Sequence, residues 1–183
     1  MKIKEKSNMI TKAIVFQIAM SIFGIMLASS IQSFGNAVKL FAGIFSVLFY
    51  FALIGAALNE DGLKDNIKVS RNTVKADAFL GMKYIAVSYI PTFAVTILYI
   101  ILRLFGIANG LTSTLNVLIR LFLSGMYLSL DSYLFAAGNT PMPVSINGWT
   151  FLIYQIFSVI VCGLFYIAGL KGINLLSSKK EEK

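Results

Sequence analysis

The stretch from Trp149 to Leu170 reads WTFLIYQIFSVIVCGLFYIAGL, twenty-two positions without a charged side chain. A hydrocarbon core ~30 Å thick takes about 20 mostly apolar residues to cross as a helix. The run is continuous and not alternating, which excludes the strand of a membrane barrel. In hydrocarbon every backbone N–H and C=O must find its partner inside the segment, so the stretch is a helix. Working outward, four more stretches meet the same test, at about 13–33, 39–58, 84–105 and 113–137. The expected fold is all-α, a polytopic transmembrane helix bundle of about five spans. It forms a single domain over 1–183, with 59–83 as its one sizeable polar connection.

Composition points the same way. Of 183 residues 57% are hydrophobic, and the mean hydropathy is +0.80. A soluble domain of this length cannot bury that much apolar surface, so the lipid bilayer is its solvent. The net charge of +8 comes from basic residues at both termini and in one loop. That is the pattern of Lys and Arg flanking spans, and nucleic-acid binding is excluded as a reading. Histidine is absent and Cys162 is the single cysteine. An intrachain disulfide and a Cys/His metal site are therefore ruled out, and no cofactor is expected.

Lys2, Lys4, Lys6 and Lys12 precede the first apolar run, and Ala28-Ser29-Ser30 could pass for a cleavage site. The run is longer than a signal-peptide core and leads straight into another span, so it is read as an uncleaved helix. The positive-inside rule puts the N-terminus and the 59–83 loop, with Lys64, Lys68, Arg71, Lys75 and Lys83, in the cytoplasm. The charge-poor connections near Gly35 and at Gly106–Thr112 suit the outside. Five spans would leave Lys171, Lys179, Lys180 and Lys183 outside, against the rule; a re-entrant fourth segment would make four spans and bring the tail inside. Leu63, Ile67, Val74 and Ala78 give the loop one apolar face, which fits an interfacial helix as well as a solvated connector. Pro141, Pro143 and Asn147-Gly148 mark the last connection as a turn.

Polar residues inside the spans recur at helical spacing. They are Ser88, Thr92, Thr96, Tyr99 and Arg103 in the third, and Asn116, Arg120, Ser124, Tyr127 and Asp131 in the fourth. Gln17, Ser21, Gly24 and Ala28 form such a stripe in the first span, and Gln155, Ser158, Cys162, Tyr166 and Gly169 in the last. Such stripes serve helix–helix packing or line a hydrated pathway. Arg120, Asp131, Tyr127 and Arg103 make up the candidate intramembrane polar site. Each ion at the centre of a span costs about 3 kcal/mol. Arg120 lies near the outer end and can snorkel. Asp131 has too short a stem for that and needs a proton, water or a cation from elsewhere, Lys83 being one geometric candidate. On one straight helix, eleven residues at 1.5 Å hold Arg120 and Asp131 roughly 16 Å apart. Pro91 removes a backbone donor and predicts a kink, with Ser88 and Thr92 placed to bond the freed carbonyl.

No GxxxxGK[ST] run is present, histidine-dependent catalysis is excluded, and Asp131 is the single intramembrane acid, so no enzyme is expected. The candidate docking loop carries Lys64, Asp65, Arg71 and Lys83. Gly62-x-Lys64-Asp65-Asn66, Val69, Arg71, Asp77, Gly81-x-Lys83, Ser88-x-x-Pro91 and Tyr166-x-x-Gly169-x-Lys171 stand together in a pattern. It resembles a family of small multi-span membrane proteins of Gram-positive bacteria with no assigned activity. The resemblance implies a bacterial cytoplasmic membrane and a functional cytoplasmic loop leading into a Pro-broken span; it carries over no catalytic residue. The expected role is an accessory or scaffold subunit of a larger membrane complex, with a membrane-protein partner or self-association. The other reading is a small oligomeric transporter or channel with its polar pathway through Asp131 and Arg120. An envelope immunity or stress protein is a third, which the sequence does not separate from the first.

Overall fold

The computed structural model describes residues 2–73, 75, 77–106, 110–135 and 148–175, with the side chains of 2–8, 122, 123 and 135 outside that description. The expected turn at Pro141, Pro143 and Asn147, the tail lysines Lys179, Lys180 and Lys183, Val74, and the side chains of Lys2, Lys4 and Lys6 lie outside the described residues. Every element among the described residues is helical: α1 (Lys2–Ser30), α2 (Asn36–Ser70), α3 (Leu80–Ser88), α4 (Ile90–Leu104), α5 (Gly110–Ile119), α6 (Leu128–Phe135) and α7 (Gly148–Leu170). A π turn, Arg120–Ser124, and a 3-10 turn, Gly125–Tyr127, join α5 to α6. Among the described residues α1, α2 and α7 are long and apolar enough to cross a membrane, and α3 with α4 makes a fourth if that pair, bent by 53°, is one span.

α2 and α7 end where their sequences provide a left-handed residue. Asn72, at φ 56°, closes α2, with Thr73 N–H on the Lys68 carbonyl at 3.0 Å and Asn72 N–H on that of Val69 at 2.9 Å. Gly172, at φ 81°, closes α7 with the same pair of bonds, Ile173 to Ala168 at 3.0 Å and Gly172 to Gly169 at 2.8 Å. Both are Schellman caps, which satisfy carbonyls the helix would otherwise leave open. The first part of the predicted 59–83 loop is thus a continuation of α2. It is neither a separate interfacial helix nor an open connector. With 35 residues α2 is about 50 Å long, so Asn59–Ser70 projects past the apolar part as a stalk.

Contacts between elements fix their directions. Phe51 meets Phe157 edge-on at 5.7 Å, Asn59 bonds the Phe165 carbonyl, and Gly62 lies against Tyr166 and Leu170. Positions rise together, so α2 and α7 are parallel. The α3–α4 pair runs the other way: Gly81 packs on Tyr166, Met82 on Gly163, and Ile100 on Gly148, while Thr96 bonds Gln155. It traverses the bundle once. The chain therefore stands at the α7-start end when α4 finishes, and it is back at that end when α7 begins. Between them α5 descends until Gly125 packs on Ser21 and Gly24 and Tyr127 reaches Ser158. Then α6 climbs back, Asp131 beside Tyr154 and Leu130 on Gly43, near the first turns of α2.

The continuous helix expected over 113–137 is accordingly replaced by two short helices that enter and leave at one end of the bundle, and five span-length helices are not found among the described residues. The cause is local. Ser124 leaves helical geometry at φ −140°, ψ 14°, and its hydroxyl donates to the Ile119 carbonyl five residues back at 3.2 Å, giving that carbonyl a side-chain partner at the π turn. A Cβ on Gly125 would run into the Ser21 carbonyl oxygen, and one on Gly24 into that of Gly125. Two glycines let backbones touch, and the segment breaks where they do.

Candidate functional site

The break turns the fourth segment's polar residues inward. Arg120 is 3% exposed and Asp131 1%. The expected snorkelling of Arg120 does not occur: its Nε donates to Asn116 Oδ1 at 2.9 Å, and its charge lies close enough to Asp131 for each to feel the other. The separation of a straight helix no longer applies, because the helix is not straight. Tyr154 OH donates to Asp131 Oδ1 at 2.6 Å, while Oδ2 is buried without a hydrogen-bond partner among the described residues. Lys83 is not the partner of Asp131; it is exposed and bonds Asp77 at 2.8 Å. Tyr127 stacks on Tyr154 with ring centroids 4.2 Å apart and shares a hydrogen bond with Ser158 at 2.8 Å. Arg103 stays exposed at the rim, where Nη1 donates to Tyr99 OH at 3.3 Å. The structure thus brings Asp131, Arg120 and Tyr127 together, and leaves Arg103 outside.

The other helices bring their polar stripes to the same interior. Gln155 donates to Thr96 Oγ1 at 2.7 Å, Gln17 donates to Thr92 Oγ1 at 3.3 Å, and Tyr50 and Tyr89 share a hydroxyl bond of 2.8 Å. Ser21, Ser46, Ser129 and Gln155 Oε1 join Asp131 Oδ2 as buried polar atoms without a hydrogen-bond partner among the described residues. Pro91 sits in the first turn of α4, where its missing N–H costs least. Ser88 bonds the Ile85 carbonyl at 2.7 Å and Thr92 receives Gln17, so neither bonds the carbonyl that Pro91 frees. Tyr154, Tyr50 and Tyr89 are not among the stripes read from the sequence, although Tyr99, Tyr127 and Tyr166 are; the spacing of Tyr154 to Ser158 is the signal that was available.

A second constellation lies at the opposite end. Asn59, fully buried, donates to the carbonyls of Phe165 at 3.3 Å and Ile173 at 2.9 Å, and accepts from Leu175 N–H at 3.2 Å. Tyr166 OH donates to Asp65 Oδ2 at 2.8 Å, and Lys68 pairs with Oδ1 at 3.1 Å. A Cβ on Gly81 would strike the Tyr166 ring, and one on Gly169 the Asn59 carbonyl. Much of the sequence pattern quoted above therefore converges on one knot around Tyr166. Lys64 pairs with Glu60 at 2.7 Å and Asp61 at 3.7 Å, and Lys12 of α1 approaches Asp61 at 4.0 Å. Arg71 caps the stalk and is exposed. The hydrogen bond from Lys83 holds the Asp77 carboxyl below its ordinary range.

Among the described residues no cluster of His, Cys, Asp and Glu could hold a metal ion. What the interior can do is present one carboxylate, one guanidinium and a file of hydroxyls away from lipid. No known protein family, curated protein or solved structure matches this chain.

Proposed function

We propose that this chain is a non-enzymatic protein of the bacterial cytoplasmic membrane that moves a small ion or polar solute through the site at Asp131 and Arg120. In this reading α1, α2, α3–α4 and α7 are four crossings, the segment 110–135 is re-entrant from the outside, and both termini are cytoplasmic. Four crossings gather Lys171 and the tail lysines on the same side as the basic N-terminus and the 59–83 loop, leaving Lys39 and Arg103 as the basic residues at the outer ends. The observation that carries the transport reading is the broken segment that buries Arg120 and Asp131 inside the bundle. Interrupted helices with ionisable groups at membrane depth are the means by which membrane proteins bind ions and polar solutes there. Helix packing alone would be served by the small and hydroxyl residues, without a charge of either sign.

The test is flux in proteoliposomes, measured for protons, alkali cations and chloride. Asp131→Asn is expected to abolish the flux while the variant still folds in detergent, with a lowered melting temperature because Arg120 loses its nearby negative charge; unaltered flux contradicts the assignment. A second reading, an accessory subunit docked through Lys64, Asp65, Arg71 and Lys83, is favoured by the stalk Asn59–Ser70. A partner that co-purifies at fixed stoichiometry, with no flux from the chain alone, would establish it instead.

A further inference from the structure

We infer that the transported ion is the proton, passed along a file of buried side-chain hydroxyls on one stripe of α7, from Asp131 to Asp65. This rests on the transport reading and gives it a substrate. Tyr154, Ser158, Cys162 and Tyr166 follow one another at every fourth position, so they line one face over about 18 Å of helix. Each meets a polar partner from another element. Tyr154 meets Asp131 Oδ1 at 2.6 Å. Ser158 meets Tyr127 at 2.8 Å and also faces Tyr89, which bonds Tyr50 at 2.8 Å. Tyr50 faces Cys162, and Tyr166 meets Asp65 at 2.8 Å. Ser158 and Cys162 are fully buried, and Tyr89 and Tyr166 are 1% exposed. The file begins in the re-entrant segment and ends on the stalk, where Asp65 is partly exposed beside Lys68.

The chemistry of the file fits a proton better than a larger ion. A bare cation needs a shell of several oxygen ligands, whereas here the hydroxyls are bonded to one another in pairs, Tyr127 to Ser158 and Tyr50 to Tyr89, as links along which a proton passes. A hydroxyl both donates and accepts, so it can take a proton on one side and release one on the other. At each step one O–H bond (S–H at Cys162) breaks as the next forms. Every side chain keeps its proton count but points its hydrogen the other way, so Tyr154, which donates to Asp131 at rest, turns to accept before a passage and the hydroxyls rotate back after it. Four intervals lack a direct bond of measured length: Tyr154 to Tyr127, whose rings stack at 4.2 Å, Ser158 to Tyr89, Tyr50 to Cys162, and Cys162 to Tyr166. There the proton crosses by rotation of a hydroxyl or through one intervening water. Arg120 and Tyr154 are the charged and titratable groups that face Asp131 most directly, with Tyr127 behind them. α1 and α2 present Ser21 and Ser46 toward this interior.

The experiment uses the full chain in vesicles that enclose a pH-sensitive dye, with a potassium diffusion potential as driving force. Wild type is expected to acidify the lumen. Tyr127→Phe and Ser158→Ala, which delete one hydroxyl each and keep the packing, are expected to slow proton entry about 100-fold, the scale of a lost proton-transfer group. Thermal melting checks that both fold, and Tyr166→Phe supplies a third cut at the far end. Proton entry unchanged in all three variants overturns the file. Asp131-dependent flux of sodium, potassium or chloride without protons also overturns it, while sparing the site at Asp131. Absence of any flux from wild type brings down the transport reading together with the file.

Discussion

α2 and α7 lie side by side without interruption, held by Gly62 and Gly169 at one end and by an edge-on Phe51–Phe157 contact further along. α3–α4 bends by 53°, and α5–α6 passes through a π turn and a 3-10 turn. The unbroken pair carries small residues and aromatic rings at its interface and no ionised group deep in its apolar length. The broken segments hold Arg120 and Asp131. A regular helix satisfies its own backbone and asks only for close packing from its neighbour. A break frees backbone and side chains to face inward, and it is where this chain places the charges that lipid would not tolerate.

The largest expected effect comes from attacking the unbroken pair. Gly169→Leu forces a side chain into the Asn59 carbonyl, which is backbone and cannot rotate away; a loss of about 3 kcal/mol or more is expected by thermal or denaturant unfolding. In the broken region the instructive change is Arg120→Ala. It leaves Asp131 buried without its nearby positive charge, at about 3 kcal/mol. The double variant Arg120→Met/Asp131→Leu should recover most of that stability and still transport nothing. Recovery of transport would mean the charges serve structure alone.

Smaller effects sharpen the contrast. Asn59→Ala removes three hydrogen bonds of 2.9–3.3 Å, one to Phe165 of α7 and two that fasten Ile173 and Leu175 to α2. A cost of about 2 kcal/mol is expected, together with faster hydrogen exchange at Leu175. The smallest effect belongs to the surface pair Asp77–Lys83. The folded carboxyl titrates below its ordinary value, so its contribution is present above the unfolded carboxylate range and is lost as pH falls through the folded one. Exposure and salt screening keep it small. Lys83→Gln should flatten this slight acid dependence of melting by removing the small contribution at neutral pH, and leave the stability at low pH as it was.

How much of this could be read from the residues follows from the same contrast. The spans at 39–58 and 149–170 were legible because crossing hydrocarbon is a property of a single segment. The polar stripes were legible too, since Thr92, Thr96, Ser158 and Cys162 repeat at helical spacing. The break at Ser124–Gly125 was not. Residues 113–137 have the composition of a span, and the interruption arises from a contact between Gly125 and Gly24, a hundred positions apart in the chain. That one contact also decides Arg120, which a straight helix would have sent toward the headgroups. Asp65 was read as part of a docking loop and Asn59 was not singled out, because their partners, Tyr166 and Ile173, lie at the far end of the sequence. The conflict between span parity and the basic tail was the one sequence signal that agrees with a segment entering and leaving at one end of the bundle.

The central claim is that the segment 110–135 enters and leaves by the same face, which puts both termini on one side. A pair of reporters fused at Lys183, one active only in the cytoplasm and one only outside it, tests this directly. Activity of the cytoplasmic reporter alone is the predicted result. Activity of the external reporter alone would restore a fifth crossing and place Arg120 and Asp131 on an ordinary span.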